Sequence, residues 1–226
     1  MEQDRRFHLV DADGRLFNGT GCGPLVQVRP DWDADTGRLL LRIPYVDAVE
    51  GEVALGEPVQ TDFYGERTVP GRIVEGPWAE ALSAYTGESL RLVCVDGNVS
   101  GTDIHVATLV SHASVEELSR RGGLNTVLDP RRFRMLLELD GCTAYEEDEW
   151  IGRDVRAGEA LLRIPASVPR CAVTTQDPQT GYRDFDTLRA INDHRGESGG
   201  KPMFGVYAEV VEPGSVRVGD PVTPVA

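Results

Sequence analysis

No apolar run in this 226-residue chain approaches the length of about 20 residues that spans a bilayer. The opening MEQDRRFHLV has neither the apolar stretch nor the small-residue cleavage site of a secretory signal, so a cytoplasmic address is expected. Positive charge is scarce as well. With 23 Lys+Arg against 37 Asp+Glu the net charge is -14, which argues against nucleic acid and against a membrane surface as partners. Cysteine is thinly spread: Cys22, Cys94, Cys142 and Cys171 contain no Cys-x-x-Cys pair, so no zinc knuckle, thioredoxin motif or disulfide scaffold is suggested. Free thiols are expected. No cysteine cluster for an iron–sulfur centre and no dinucleotide fingerprint occurs. Asn18 and Asn98 match the glycosylation pattern, which without export carries no meaning.

What is present is ordinary globular material, 40% hydrophobic and 27% charged. Its apolar runs are short and bounded by Gly, Pro, Asp or Asn: RFHLV, LVQV, RLLLRI, EVAL, RLVCV, RMLLEL, ALLRI, FGVYAEVV and SVRV. That spacing predicts many short strands. Three helices interrupt them: one from Pro77 to Gly87, one opened by the capping-box spacing of Ser114 and Glu117 and closed at Gly122, and one carrying Phe185, Leu188 and Ile191 that ends at Gly196. The pattern predicts a mostly β or α+β fold, barrel-like because closure removes sheet edges, with no support for parallel βαβ winding. A polar Gly/Asn/Ser cluster from Cys94 to Asp103 marks a seam between two parts, 1–95 and 96–226.

Most chemistry-bearing residues have a plain reading. Cys22 in NGTGCGP fits a hairpin turn better than an anion cradle, because no phosphate-loop spacing or lysine follows. His105 and His112 lie seven apart and form no His-Glu-x-x-His pair, and His194 suits the carbonyl end of a helix. The acidic run Glu146 to Glu149 reads as a solvated loop. Cys171 has more around it. Arg170 brings positive charge that lowers a thiol pKa, Thr174 and Thr175 offer hydroxyl donors, and Asp177, Pro178 and Gly181 start a tight turn. A thiolate so placed suits attack on an electrophile or the binding of a soft metal.

The segments RCAVTTQDPQTG (170–181), FGVYAEVVEPGSVRVGDPV (204–222), RRFR (131–134) and RRFHLVDADGRLF (5–17) resemble, in this order, the MOSC family with its N-terminal β-barrel extension. The resemblance implies a MOSC-type barrel at 96–226, a smaller N-terminal barrel-like domain at 1–95 lacking its first strands, and a molybdenum–molybdopterin cofactor. Cys171 matches the cysteine that ligates molybdenum and carries the catalysis. Arg6, Arg134 and Arg170 match cofactor-facing arginines; Asp103, Ile104 and His105 begin another contact stretch, and Tyr207 closes the pocket. Arg134, inside FRMLLEL, is expected to be less exposed than Arg131 or Arg132. Met135 and Leu136 replace the family's Pro-Asn, which removes an amide side chain. The activity implied is reduction of small N-hydroxylated or N-oxide substrates by oxygen-atom transfer, with electrons from a separate redox protein. A cofactor carrier without turnover and a sulfur-transfer protein using Cys171 are the alternatives, with a cysteine hydrolase behind them.

Overall fold

The computed structural model describes residues 5–95, 105 and 107–225, which fall into two compact units. The first comprises residues 1–102 with 179–182, the second residues 103–178 with 183–226.

In the first unit the order is β1 (Phe7–Val10), β2 (Leu16–Phe17), β3 (Arg29–Asp33), β4 (Arg38–Arg42), β5 (Val49–Glu52), β6 (Ala54–Phe63), β7 (Arg67–Glu75), α1 (Trp78–Thr86) and β8 (Arg91–Val95). Two antiparallel sheets result, β2-β1-β8-β7-β6 and β3-β4-β5. In β4, Leu39 and Leu41 alternate inward between exposed Arg38 and Arg42, and they meet Trp78 and Leu82 of α1 and Leu92 of β8 in one core. Trp78 is fully buried, and its indole N–H donates to the Leu39 carbonyl at 3.1 Å. Gly87 ends α1 in the left-handed conformation, φ 77°, as its position after the helix predicts. LVQV is no strand: Pro24 enters the first turn of a 3-10 helix at Gly23–Gln27. The longest hairpin, β6–β7, escapes the pattern-based reading because β6 buries only Thr61 and Phe63 at its end and includes Gly56 and Pro58.

The second unit contains β9 (Ala107–Ser111), α2 (His112–Arg121), β10 (Leu137–Leu139), β11 (Asp154–Ala157), β12 (Ala160–Arg163), β13 (Ser167–Pro169), α3 (Thr187–Arg195), β14 (Glu197–Ser198), β15 (Lys201–Glu212) and β16 (Val222–Pro224). They form a nearly closed barrel sheet, ordered β10-β9-β15-β12-β11-β16, with β13 and β14 also paired to the long β15. Leu109, Val155, Leu162, Ile164, Val206 and Ala208 share the core of this sheet; α2 and α3 build a second core from Val110, Leu118, Phe133, Ile191 and Phe204. One strand, β15, serves both because it bulges at Gly205, φ 73°: Ser167 faces Val206 while Pro169 faces Met203. A Cβ at Gly205 would lie 2.8 Å from the Leu109 carbonyl, so only glycine fits.

Two further expectations change here. β9 and β10 pair in parallel across α2, so one parallel connection does exist. SVRV lies in an irregular stretch, since Val216 and Val218 are exposed and nothing pairs with them among the described residues.

Candidate functional site

The segment around Cys171 is built from one short strand and one tight turn. β13 ends at Pro169, the Arg170 N–H donates to the Pro202 carbonyl at 2.9 Å, and Cys171 then caps a 3-10 turn at Ala172–Thr175 with extended backbone. The Cys171 carbonyl accepts from the Thr174 N–H at 3.1 Å and from the Thr174 hydroxyl at 3.0 Å. That hydroxyl has one proton to give, so the 2.7 Å contact between the Thr174 and Thr187 hydroxyls must be donated by Thr187. Thr175 likewise donates to the Ala172 carbonyl at 2.7 Å. The two threonines therefore fasten the backbone instead of facing the sulfur. The Cys171 side chain is exposed and in no disulfide.

The neighbouring arginines differ from the sequence-based ranking. Arg132 is the buried one, 4% exposed: it donates to the Thr174 carbonyl at 3.0 Å and, with both terminal nitrogens, to the Asp184 carboxylate at 3.2 and 3.0 Å. Arg134 is exposed. The reason is the turn: Asp129 caps a short 3-10 helix at Pro130–Phe133, which carries Arg132 and Phe133 inward, and Arg134 ends it in the left-handed region at φ 53°. Among the described residues no carboxylate lies within ion-pair distance of Arg134. Arg131 pairs with Asp129. Arg170 donates to the Phe133 carbonyl and, at 3.4 Å, to the Met135 sulfur, with its guanidinium 5.5 Å over the Phe133 ring. Cys171, Arg170 and the 130–135 segment thus belong to one locality.

The remaining sequence candidates have surroundings of their own. His105 packs on Tyr207, ring centroids 4.8 Å apart, and its Nδ1 sits 3.0 Å from the Glu209 carboxylate. Tyr207 is nearly buried, and its N–H donates to the Ala166 carbonyl. Asp103 and Ile104 lie outside the described residues. Arg6 belongs to the first unit, where its guanidinium stands 6.0 Å over the Trp32 ring and its Nε is buried without a partner among the described residues. No group of three or more His, Cys, Asp or Glu side chains converges as a metal site among the described residues. His112 lies between Glu138 at 3.0 Å and Asp140 at 2.8 Å, and the Glu138 hydrogen bond raises its pKa.

The acidic run also needs correction. Glu146–Trp150 form a 3-10 turn in which Glu147 is 1% exposed. Its carboxylate accepts from the Ser111 N–H at 3.2 Å and the Ser114 hydroxyl at 3.0 Å, at the N-terminus of α2. Asp148 pairs with Arg195 at 2.6 Å. Arg132 and Glu147 were both invisible in the sequence for the same reason: each sits in a charged run, and only a partner distant in the chain reveals which member turns inward.

A curled barrel sheet that displays one thiol beside an arginine-rich turn defines the class. A profile of the MOSC domain matches residues 96–223, and the chain belongs to the MOSC domain family. It is 31% identical to mitochondrial amidoxime reducing component 2 of Bos taurus over 97% of this chain and 72% of that protein. Identity is 33% to mitochondrial amidoxime-reducing component 1 of Mus musculus, covering 55% of this chain, and 37% to component 2 of Rattus norvegicus, covering 50%. The last two matches span only 38% and 35% of those relatives' own lengths.

Proposed function

We propose that the protein is a molybdenum-cofactor-binding oxidoreductase that removes oxygen from small N-hydroxylated or N-oxide substrates, with electrons from a separate redox protein. The observation that carries the reading is the exposed Cys171 thiol, displayed on a turn whose backbone is fastened around it, inside the segment that matches the family. The names of the relatives support the reaction class.

The residues present fit such a group. A single exposed thiol suits a soft metal whose other sulfurs come from the pterin, and Arg134 offers an exposed cation with no carboxylate within ion-pair distance among the described residues. Cys171 would be the protein ligand, and Arg134 and Arg170 would meet the anionic tail through charge-assisted bonds worth about 1.5–3 kcal/mol each. His105 and Tyr207 complete the proposed set. When bound, the cofactor supplies the two-electron oxygen-atom chemistry. The chain's own part is to fix the sulfur, neutralise the tail and order the loop, the last through the Asp177–Gly181 turn.

The test is metal analysis of protein made in a host that synthesises the cofactor, paired with oxidation to the fluorescent pterin. Wild type is expected to carry both, and Cys171→Ala to lose molybdenum to background. Equal molybdenum in the two proteins would show that the metal is held elsewhere. One observation favours a second reading, a carrier without turnover: Leu136, 44% exposed, presents an apolar side chain where the resemblance expects an amide. Bound cofactor with no amidoxime reduction in the presence of a competent electron donor would select the carrier.

A further inference from the structure

The geometry points to Arg132 as a positioning residue for Cys171, acting through the Thr174 carbonyl and the Asp184 carboxylate. The inference rests on the proposed function only for what the thiol holds. Two arginines strap the same pair of turns in opposite directions. Arg170, just before Cys171, donates to the carbonyl of Phe133, and Arg132, just before Phe133, donates to the carbonyl of Thr174 at 3.0 Å. Cys171 lies between the two points of attachment.

The strap closes into a ring of hydrogen bonds. Arg132 grips Asp184 with two nitrogens, the Asp184 N–H donates to the Thr175 carbonyl at 3.1 Å, and Thr174 holds the Cys171 carbonyl through both its N–H and its hydroxyl. Thr187, at the start of α3, supports Thr174 from the other side at 2.7 Å. Every backbone acceptor of the turn named here is thereby tied to a residue outside it or across it.

The residue type supports positioning over stability. The ion pair is weak evidence for stability: the Asp184 side chain is 43% exposed, so solvent screens the attraction while the Arg132 charge still bears the cost of burial. Arg132 is 4% exposed and its Nε has no partner among the described residues, so its burial is not optimised for energy. What a guanidinium supplies and lysine does not is a rigid planar fork whose second nitrogen holds the other Asp184 oxygen while the first holds the Thr174 carbonyl. A thiolate that must meet a metal held by other ligands needs its backbone fixed in this way.

The experiment uses the whole chain, purified without cofactor, and reads amide hydrogen exchange together with iodoacetamide labelling of each cysteine by mass spectrometry. In Arg132→Ala, exchange at Thr174 and Gln176 is expected to accelerate by about tenfold or more. Labelling of Cys171 should change by about threefold or more, on the same loss of a charged hydrogen bond. The barrel amides of Leu109 and Val206, and labelling of Cys142 in the same unit, should stay near wild type. Arg132→Lys should fall between, because one ammonium can serve the Thr174 carbonyl and one Asp184 oxygen but lacks the second nitrogen that Arg132 places on the other Asp184 oxygen. Wild-type exchange and labelling in Arg132→Ala would overturn the inference, as would barrel amides loosening as much as the turn. If Arg132→Ala does not fold, Arg132→Lys and Asp184→Asn decide: wild-type turn exchange in both overturns it. The two readings fail separately. Wild type without molybdenum sinks the cofactor reading and leaves the exchange result standing, whereas molybdenum-loaded wild type with an indifferent Arg132→Ala sinks this inference alone.

Discussion

Two histidines show how a single side chain ties protonation to folding, and they do so with opposite signs. His8 is buried in the first unit, its Nε2 2.8 Å from the Thr61 hydroxyl and its ring edge-on to Phe63, and burial pushes its pKa down from 6.5 to about 4. Between those values the unfolded chain takes up a proton that the folded chain refuses, so stability falls as pH drops through that window. The difference corresponds to about 3 kcal/mol at about 1.4 kcal/mol per pH unit. Urea titrations from pH 7 to pH 4 are expected to show this limb, and His8→Gln, which keeps a hydrogen bond to Thr61 but no charge, to flatten it. An unchanged limb in the variant would assign it to other groups. His112 runs the other way. Glu138 raises its pKa, so its contribution is complete below 6.5 and is lost as pH rises through the folded value.

Elements of this fold are decided by what reaches their ends. The first turn of α2 is capped locally by Ser111, whose hydroxyl accepts from the Ser114 N–H at 3.1 Å, and from afar by Glu147. Removing that carboxylate leaves buried donors without a partner. Glu147→Ala is expected to cost about 2–4 kcal/mol in chemical denaturation, from charge-assisted bonds of about 1.5–3 kcal/mol each; a loss below about 1 kcal/mol would show that water or Ser111 alone suffices. The three helices were legible because apolar spacing and terminal glycines are local signals: α1 ends at Gly87 and α3 starts behind Asp186 and ends before Gly196. The cap expected at Ser114 and Glu117 is not one, since Ser111 opens α2 and Glu117 lies inside it, paired with Arg120 and Arg121. The β6–β7 hairpin was not legible, since inward positions alternate only over short stretches, Thr61 and Phe63 of β6 and Val69 and Gly71 of β7, and Pro58 and Pro70 interrupt the pattern. Nor was the 3-10 turn at Gly23–Gln27, where four apolar or amide side chains imitate a strand but Pro24 sets the backbone.

The molecule as a whole carries net charge -14, and among the described residues no helix is long and apolar enough to cross a membrane. Charge of this sign repels anionic polymers and surfaces over a Debye length of about 10 Å at moderate salt. Purified protein is therefore expected not to co-sediment with phosphatidylserine vesicles and not to shift duplex DNA at low ionic strength. Salt-sensitive binding to either would reveal a basic patch that the net charge conceals. Division into two compact units is a property of this level too, with the second unit interrupted by residues 179–182, which cluster with the first.

Short apolar runs, turn residues and terminal glycines were enough to establish a strand-rich chain with three helices, because those signals act over a few neighbouring residues. Which charges turn inward was settled only by the packed chain. Arg132 and Glu147 each meet partners more than thirty residues away, Asp184 and Ser111, and burial of a charge is stable only where such partners wait. The bulge at Gly205 likewise needed its neighbours, since the glycine is required by the nearby Leu109 carbonyl and not by anything adjacent in sequence.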